Sequence, residues 1–165
     1  MSKYKYYIGI DPGKSGGIAV INTVDDLVSV TPMIFDGKLI DFKRMAQWIK
    51  AHYGGHPHLS PSVLAVIEKV GAMPGQGVVS MFSFGVSTGG MLGILGALEI
   101  STIQVPPQRW KKYTLADTDK TKEAAANFCI MRYPRVNLYA TERSKKPHTG
   151  ICDALCIAHY ACYNY

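Results

Sequence analysis

The run Val-Leu-Ala-Val-Ile-Glu at residues 63–68 constrains this chain most. Five apolar residues in a row, without alternation, are how a strand reads when helices cover both of its faces. Three earlier runs, 4–10, 17–22 and 27–33, also read as strands. A glycine-rich turn at 11–16 joins the first two, which predicts an antiparallel meander. A fifth strand is expected at 100–105, ended by Pro106 and Pro107.

Helical spacing fills the gaps. Met45, Trp48 and Ile49 recur at helical intervals in 41–51, with Asp41 as the N-cap. A short helical turn is predicted at 108–113, a helix at 121–132 with Pro134 just beyond it, and a last helix at 150–163. The helix expected at 80–98 is unusual, because Gly85, Gly89, Gly90, Gly93 and Gly96 all fall in it. Each glycine costs about 1 kcal/mol relative to alanine. So many of them predict close backbone packing against a sheet or another subunit. Residues 71–77 read as a loop, and the polar, basic stretch 136–147 as a mobile one.

The order is three strands, helix, strand, helix, strand, helices. It predicts an α/β fold with a five-stranded mixed sheet and helices on both faces. No repeat, low-complexity tract or linker divides residues 1–165, so one domain is expected. If the fourth strand lies parallel to the first and beside it, their carboxyl ends meet where such sheets bind ligands. Asp11 ends the first strand and Glu68 ends the fourth.

Composition narrows the partners. Hydrophobic residues make up 47% of the chain, which fits a globular protein. The net charge of +6 favours polyanions only weakly. Cys129, Cys152, Cys156 and Cys162 form no C-x-x-C pair and read as reduced core thiols of an intracellular protein. Cys152, Cys156 and His159 could share a helix face as ligands, but a second pair at zinc spacing is missing. The opening MSKYKYYIGIDPG does not read as a secretory leader, since its apolar run stops at Asp11 and Pro12. No stretch reads as a bilayer span without interruption. The expectation is a soluble, intracellular protein with no membrane partner.

Each acid has a plain reading. Asp11 before Pro-Gly can be a turn aspartate bonding its own backbone. Glu68 can pair with Lys69 or simply emerge at the strand end. Asp153 can be a first-turn charge favoured by the dipole of the last helix. The predicted fold nevertheless brings the three together. Clustered carboxylates repel one another and need cations to persist. Oxygen ligands of this kind suit Mg²⁺ or Mn²⁺. Two such ions about 4 Å apart can clamp the attacking and leaving oxygens of a phosphodiester.

Four segments carry a family likeness: IGIDPGKSGGIAVI, VIEKVGAMPG, VPPQRWKKYTL with DKTKEAA, and HTGICDALCIAHYA. In this order they resemble the RuvC family of Holliday-junction resolvases, most closely its phage and chloroplast-type members. The likeness runs from Ile8 to Ala161. It implies a ribonuclease-H-like fold and a homodimer that makes paired, Mg²⁺-dependent nicks in a four-way junction. It also implies that Asp11, Glu68 and Asp153 are the metal-binding catalytic acids. Relatives often read H-D-G-x-x-D-A before the last helix, whereas this chain has His148-Thr149-Gly150. His148 is the substitute for the missing acid, binding the metal or the attacking water. It can equally be a loop histidine, and Thr149 the helix cap.

The resemblance also implies a lysine on the scissile phosphate, here Lys120 or Lys122. Three basic groups, Arg109 with Lys111 and Lys112, Lys120 with Lys122, and Arg143 with Lys145 and Lys146, are candidate phosphate contacts or plain solvated faces. Trp110 reads as a packing residue rather than a base-stacking one. Met73 and Gln76, in the loop after Glu68, are candidates to wedge into the junction. Relatives often carry an arginine after Phe-Gly in the next helix, where this chain has Val86.

Other readings remain open. D-x-G-x-S-G also resembles the phosphate loop of the actin and sugar-kinase ATPases, which need two such domains around a nucleotide. A non-catalytic branched-DNA-binding protein would tolerate Thr149 and Val86. A ribonuclease H acting on RNA–DNA hybrids would share the fold.

Overall fold

The computed structural model describes residues 3–54, 62–69, 71, 75 and 77–165. Its main sheet has five strands: β1 (Tyr6–Asp11), β2 (Gly17–Asn22), β3 (Leu27–Pro32), β6 (Val63–Glu68) and β7 (Ser101–Val105). A separate hairpin holds β4 (Phe35–Asp36) and β5 (Leu39–Ile40). The helices are α1 (Phe42–His52), α2 (Val78–Ala97), α3 (Pro107–Thr114), α4 (Lys122–Arg132) and α5 (Thr149–Asn164). The sheet order is β3-β2-β1-β6-β7, antiparallel through the meander and parallel from β1 to β6 to β7. The mixed sheet and the parallel neighbours β1 and β6 are as the sequence predicts.

Side-chain alternation splits the core in two. On one face Tyr7, Leu64 and Val66 pack with Trp110 of α3, Ala125 and Cys129 of α4, and the inner face of α5. On the other, Ile8, Ile10, Ala65 and Ile67 pack with Met45 and Ile49 of α1 and with Met91, Ile94 and Leu95 of α2. α5 is the central helix, and almost every residue from Gly150 to Ala161 is buried. It lies directly on β1 because Gly9 offers no side chain. A Cβ there would meet the backbone of Ala154 and Ala158.

The helix starts follow local chemistry. Asp41 caps α1 by accepting from the Arg44 N–H at 2.9 Å, as its sequence position implies. Thr121 caps α4 from the Ala124 N–H at 3.2 Å. Pro107 opens α3 at a position where a missing N–H costs nothing. The β4–β5 hairpin was not foreseen: two-residue strands are too short to show a period, and Gly37 turns between them at φ 58°. The 136–147 loop is tied at both ends by the buried Leu138 and by the His148 N–H donating to the Leu138 carbonyl at 2.8 Å.

α2 departs most from expectation. It is 20 residues long, carries no charge, and by length and composition is apolar enough to cross a membrane. The expectation that no stretch is long and apolar enough to span a bilayer without interruption therefore does not hold for α2 by those two measures. Met91, Ile94 and Leu95 are packed into the core, whereas Val79 and Phe82 are 82% and 74% exposed. Of its glycines, Gly90 alone is pressed inward, against the Phe42 ring. Gly85, Gly89, Gly93 and Gly96 face open space.

The close approach of α5 to β1 gives the first prediction. Gly9→Ala should destabilise the protein by about 2 kcal/mol or more, as overpacking against backbone does, read from urea unfolding. A loss within 0.5 kcal/mol, the scatter typical of surface substitutions, would show that α5 can shift to make room.

Candidate active site

β1 and β6 run in register up to Ile10 opposite Ile67. The next residues, Asp11 and Glu68, therefore leave the sheet side by side. By alternation both belong to the face that carries Tyr7, Leu64, Val66 and α5. Asp153 approaches that edge from α5. It lies in the second helical turn, so the first-turn dipole role considered for it does not apply. Sheet and helix are held together by glycines. Gly16 and Gly150 form a parallel bridge between the β1–β2 turn and the start of α5. A Cβ on Gly150 would meet Ser15 and Gly16, and one on Gly16 would meet the carbonyls of Asp11 and Gly13.

Asp11 is half-buried and accepts from the Gly13 N–H at 3.3 Å, the turn bond its sequence context suggests. Burial raises its pKa, opposed by that bond and by His148, Lys111 and Lys122. Glu68 is pushed up to about 7 by burial, and the charges of Asp11 and Asp153 add to the rise. Asp153 is pushed up to about 6 by burial and then by Asp11, with Lys111 and Lys122 opposing. The charge of Asp11 thus contributes to the rise at both of the other acids. Lys111 and Lys122 act on the acids through their charge, while one oxygen of Asp11 is already taken by the Gly13 N–H.

The structure shows three further features of the candidate residues. His148, not Thr149, is the N-cap of α5: its Nδ1 accepts from the Ile151 N–H at 3.2 Å. That bond assigns the proton of the neutral ring to Nε2, making Nε2 a donor. Burial lowers the pKa of His148, opposed by Asp11, so the neutral ring is favoured. Of the two lysines considered for phosphate, Lys122 opens α4 and acts on Asp11 and Asp153, while Lys120 lies before the helix at φ 57°.

Trp110 is wholly buried, as a packing residue should be, but its indole N–H also donates to Glu68 Oε2 at 2.8 Å. Sequence reasoning missed this bond, for which the only signal was a buried strand-end acid in need of a donor. Lys111 sits over the indole, its Nζ 5.2 Å from the ring centroid.

The other basic candidates are spread out. Arg109, Lys112, Arg143, Lys145 and Lys146 are all exposed. Met73 and Gln76 lie outside the described residues. Cys152 and Cys156 are buried beside Cys129, while His159 bonds the Tyr133 hydroxyl at 2.8 Å.

A hard divalent cation fits the donor set: three carboxylates with pKa values raised by burial, two of them also by neighbouring acids, would be relieved by it. The acids line one edge without closing round a point. Among the described residues, no three His, Cys, Asp or Glu side chains form a ready cluster for one ion. Such a site could admit cations together with a substrate that completes their coordination.

Comparison with known proteins agrees with this architecture. No family model and no curated protein matches the sequence. Among solved structures, RuvC of T. thermophilus in complex with a Holliday junction substrate superposes with a TM-score of 0.56 at 16% identity, over 94% of this chain and 91% of that one. A second Thermus thermophilus RuvC structure gives 0.55 at 17% identity, covering 94% and 92%. The yeast mitochondrial Holliday junction resolvase Ydc2 gives 0.57 at 11% identity, covering 97% and 78%. The chain has the RuvC fold, of the ribonuclease-H-like type.

The raised acids give a pH prediction for the ion-free protein. Between 4.5 and about 7, folded Glu68 keeps a proton that the unfolded chain releases, and Asp153 does so between 3.8 and about 6. The folded state binds more protons there, so its stability falls as pH rises through that window. Thermal melts in EDTA should show this fall, and Glu68→Gln should make it shallower. An equal slope in wild type and Glu68→Gln would mean that Glu68 is not the raised acid.

Proposed function

We propose that the protein is a structure-selective endodeoxyribonuclease that resolves four-way DNA junctions by paired, Mg²⁺-dependent hydrolytic nicks. The observation that carries this is that Asp11 and Glu68 end neighbouring parallel strands on the α5 side, where the charge of Asp11 acts on both Glu68 and Asp153 and that of Lys111 on all three acids. The RuvC fold supports it. Residues 1–165 act in this reading as a single nuclease domain, inside the cell where its DNA substrate is.

The chain's own groups divide the work. Asp11, Glu68 and Asp153 would hold one or two Mg²⁺ or Mn²⁺ ions. Bound there, the metal supplies Lewis-acid stabilisation and a water of lowered pKa. Lys122 and Lys111 draw a phosphate to the edge and offset its charge. His148 uses Nδ1 to cap α5, so it serves through Nε2–H, orienting the water or a phosphate oxygen rather than replacing the missing acid as a ligand. The exposed Lys112, Arg143, Lys145 and Lys146 track the DNA backbone beyond the cut. Met73 and Gln76 remain the candidates for contact with the junction centre.

A homodimer completes the reading, since paired nicks need two sites. α2 offers the surface: Val78, Val79, Phe82 and Val86 are exposed, and Gly85, Gly89 and Gly93 recur every fourth residue with nothing above them. An apolar helix with small residues at that spacing packs closely on a second copy around a two-fold axis. Val86, where relatives carry arginine, belongs to this face.

With Mg²⁺ the protein should nick a synthetic four-way junction and largely spare linear duplex and RNA–DNA hybrid. Asp11→Asn, Glu68→Gln and Asp153→Asn should each lower the rate at least a hundredfold, by analogy with loss of a principal catalytic group, while junction binding in a gel shift is retained. Tight binding with no cleavage by wild type in Mg²⁺ or Mn²⁺ would instead make it a branched-DNA-binding protein. For the dimer, Phe82→Lys with Val86→Lys should shift the sedimentation mass from two chains to one. A monomeric wild type would end that part of the proposal.

A further inference from the structure

Trp110 lies 42 residues from Glu68 in sequence, yet donates to it at 2.8 Å. The chain arranges this through the sheet. Glu68 is opposite Val105 at the end of β7, Pro106 and Pro107 turn the chain into α3, and the first turn of α3 brings Trp110 back beneath the glutamate. There the indole is fully buried in the core on the α5 side of the sheet, the one that holds Tyr7, Val66, Val105 and Leu155. We propose that Trp110 is a positioning residue of the cation site, committing one oxygen of Glu68 to the indole so that the other is presented to the ion. The proposal rests on the reading above, in which Glu68 is a metal-binding acid.

The choice of donor supports this. An indole offers one N–H, accepts nothing and carries no charge. It can therefore fix a carboxylate without cancelling the charge that a cation needs. A lysine or arginine in the same place would compete with the ion. Glutamate has a long, free side chain, and ordering it costs up to about 2 kcal/mol. A bond already made in the ion-free protein removes part of that cost from ion binding. Partners behind the ligands commonly matter to metal affinity for this reason. The plainer account is that a buried indole N–H merely needs an acceptor. The two differ in what Mn²⁺ should feel.

The test uses the full chain, Mn²⁺ alone and no DNA. The protein has two tryptophans, so Trp48→Phe leaves Trp110 as the sole reporter. Its emission should be quenched saturably by Mn²⁺, with the midpoint moved to higher Mn²⁺ by Glu68→Gln. In calorimetry, at a temperature where circular dichroism in EDTA shows the variant folded, Trp110→Phe should weaken Mn²⁺ binding by roughly tenfold or more. Unchanged Mn²⁺ affinity in a folded Trp110→Phe protein overturns the proposal. Should that variant fail to fold, the absence of saturable quenching in the Trp48→Phe protein overturns it instead. The underlying reading fails separately: it falls if Asp11→Asn, Glu68→Gln and Asp153→Asn all bind Mn²⁺ as wild type does.

Discussion

The arrangement of this protein depends on how closely α5 can approach the sheet. Gly9 in β1, Gly16 in the turn after it and Gly150 at the start of α5 are all places where a single Cβ would strike backbone. With those glycines, α5 settles on β1 along its length and its first turn bridges to the β1–β2 turn. That contact brings Asp153 within reach of the charge of Asp11 and sets His148, the cap of α5, within reach of it too. Without it the fold could persist as a sheet with helices, but its acids would belong to separate surfaces.

Having brought the acids together, the fold leaves them unneutralised. Burial dominates the rise at Glu68 and Asp153, and repulsion from the neighbouring acids adds to it. A protein selected for stability alone would pair such groups or replace them with apolar ones. Here the nearby lysines soften the charge without pairing with it, and the donor to Glu68 is a neutral indole. Functional sites are where such unrelieved electrostatics tend to persist.

Much of the fold was legible in the sequence because its elements are long and periodic. VLAVIE reads as a strand covered on both faces, and Asp41 announced the helix it caps, whereas Thr121, read as the first helical residue, is the cap itself. Asp11 and Glu68 were legible as strand ends once β1 and β6 were taken as neighbours. What stayed hidden depended on contacts between distant segments or on very short elements. The β4–β5 hairpin is two residues a side. The Trp110–Glu68 bond spans a crossover, and no local pattern marks it. The role of His148 as cap turned on which nitrogen faces the Ile151 N–H, a matter of ring orientation that sequence does not carry.

The glycines of α2 show why composition alone could not assign that helix. The same residue type serves two needs on opposite sides of one cylinder. Gly90 is small because Phe42 lies against it, whereas Gly85, Gly89, Gly93 and Gly96 are small with nothing against them. Helix propensity argues against keeping four unneeded glycines in one helix, since each costs about 1 kcal/mol. Their retention on a charge-free outer face, next to exposed Val79 and Phe82, is best explained by a surface that another backbone approaches. On the reading proposed above, the two sides of the sheet would have separate tasks. Chemistry would sit on the α5 side, where acids and lysines meet, and assembly on the α2 side, whose helix carries no charge.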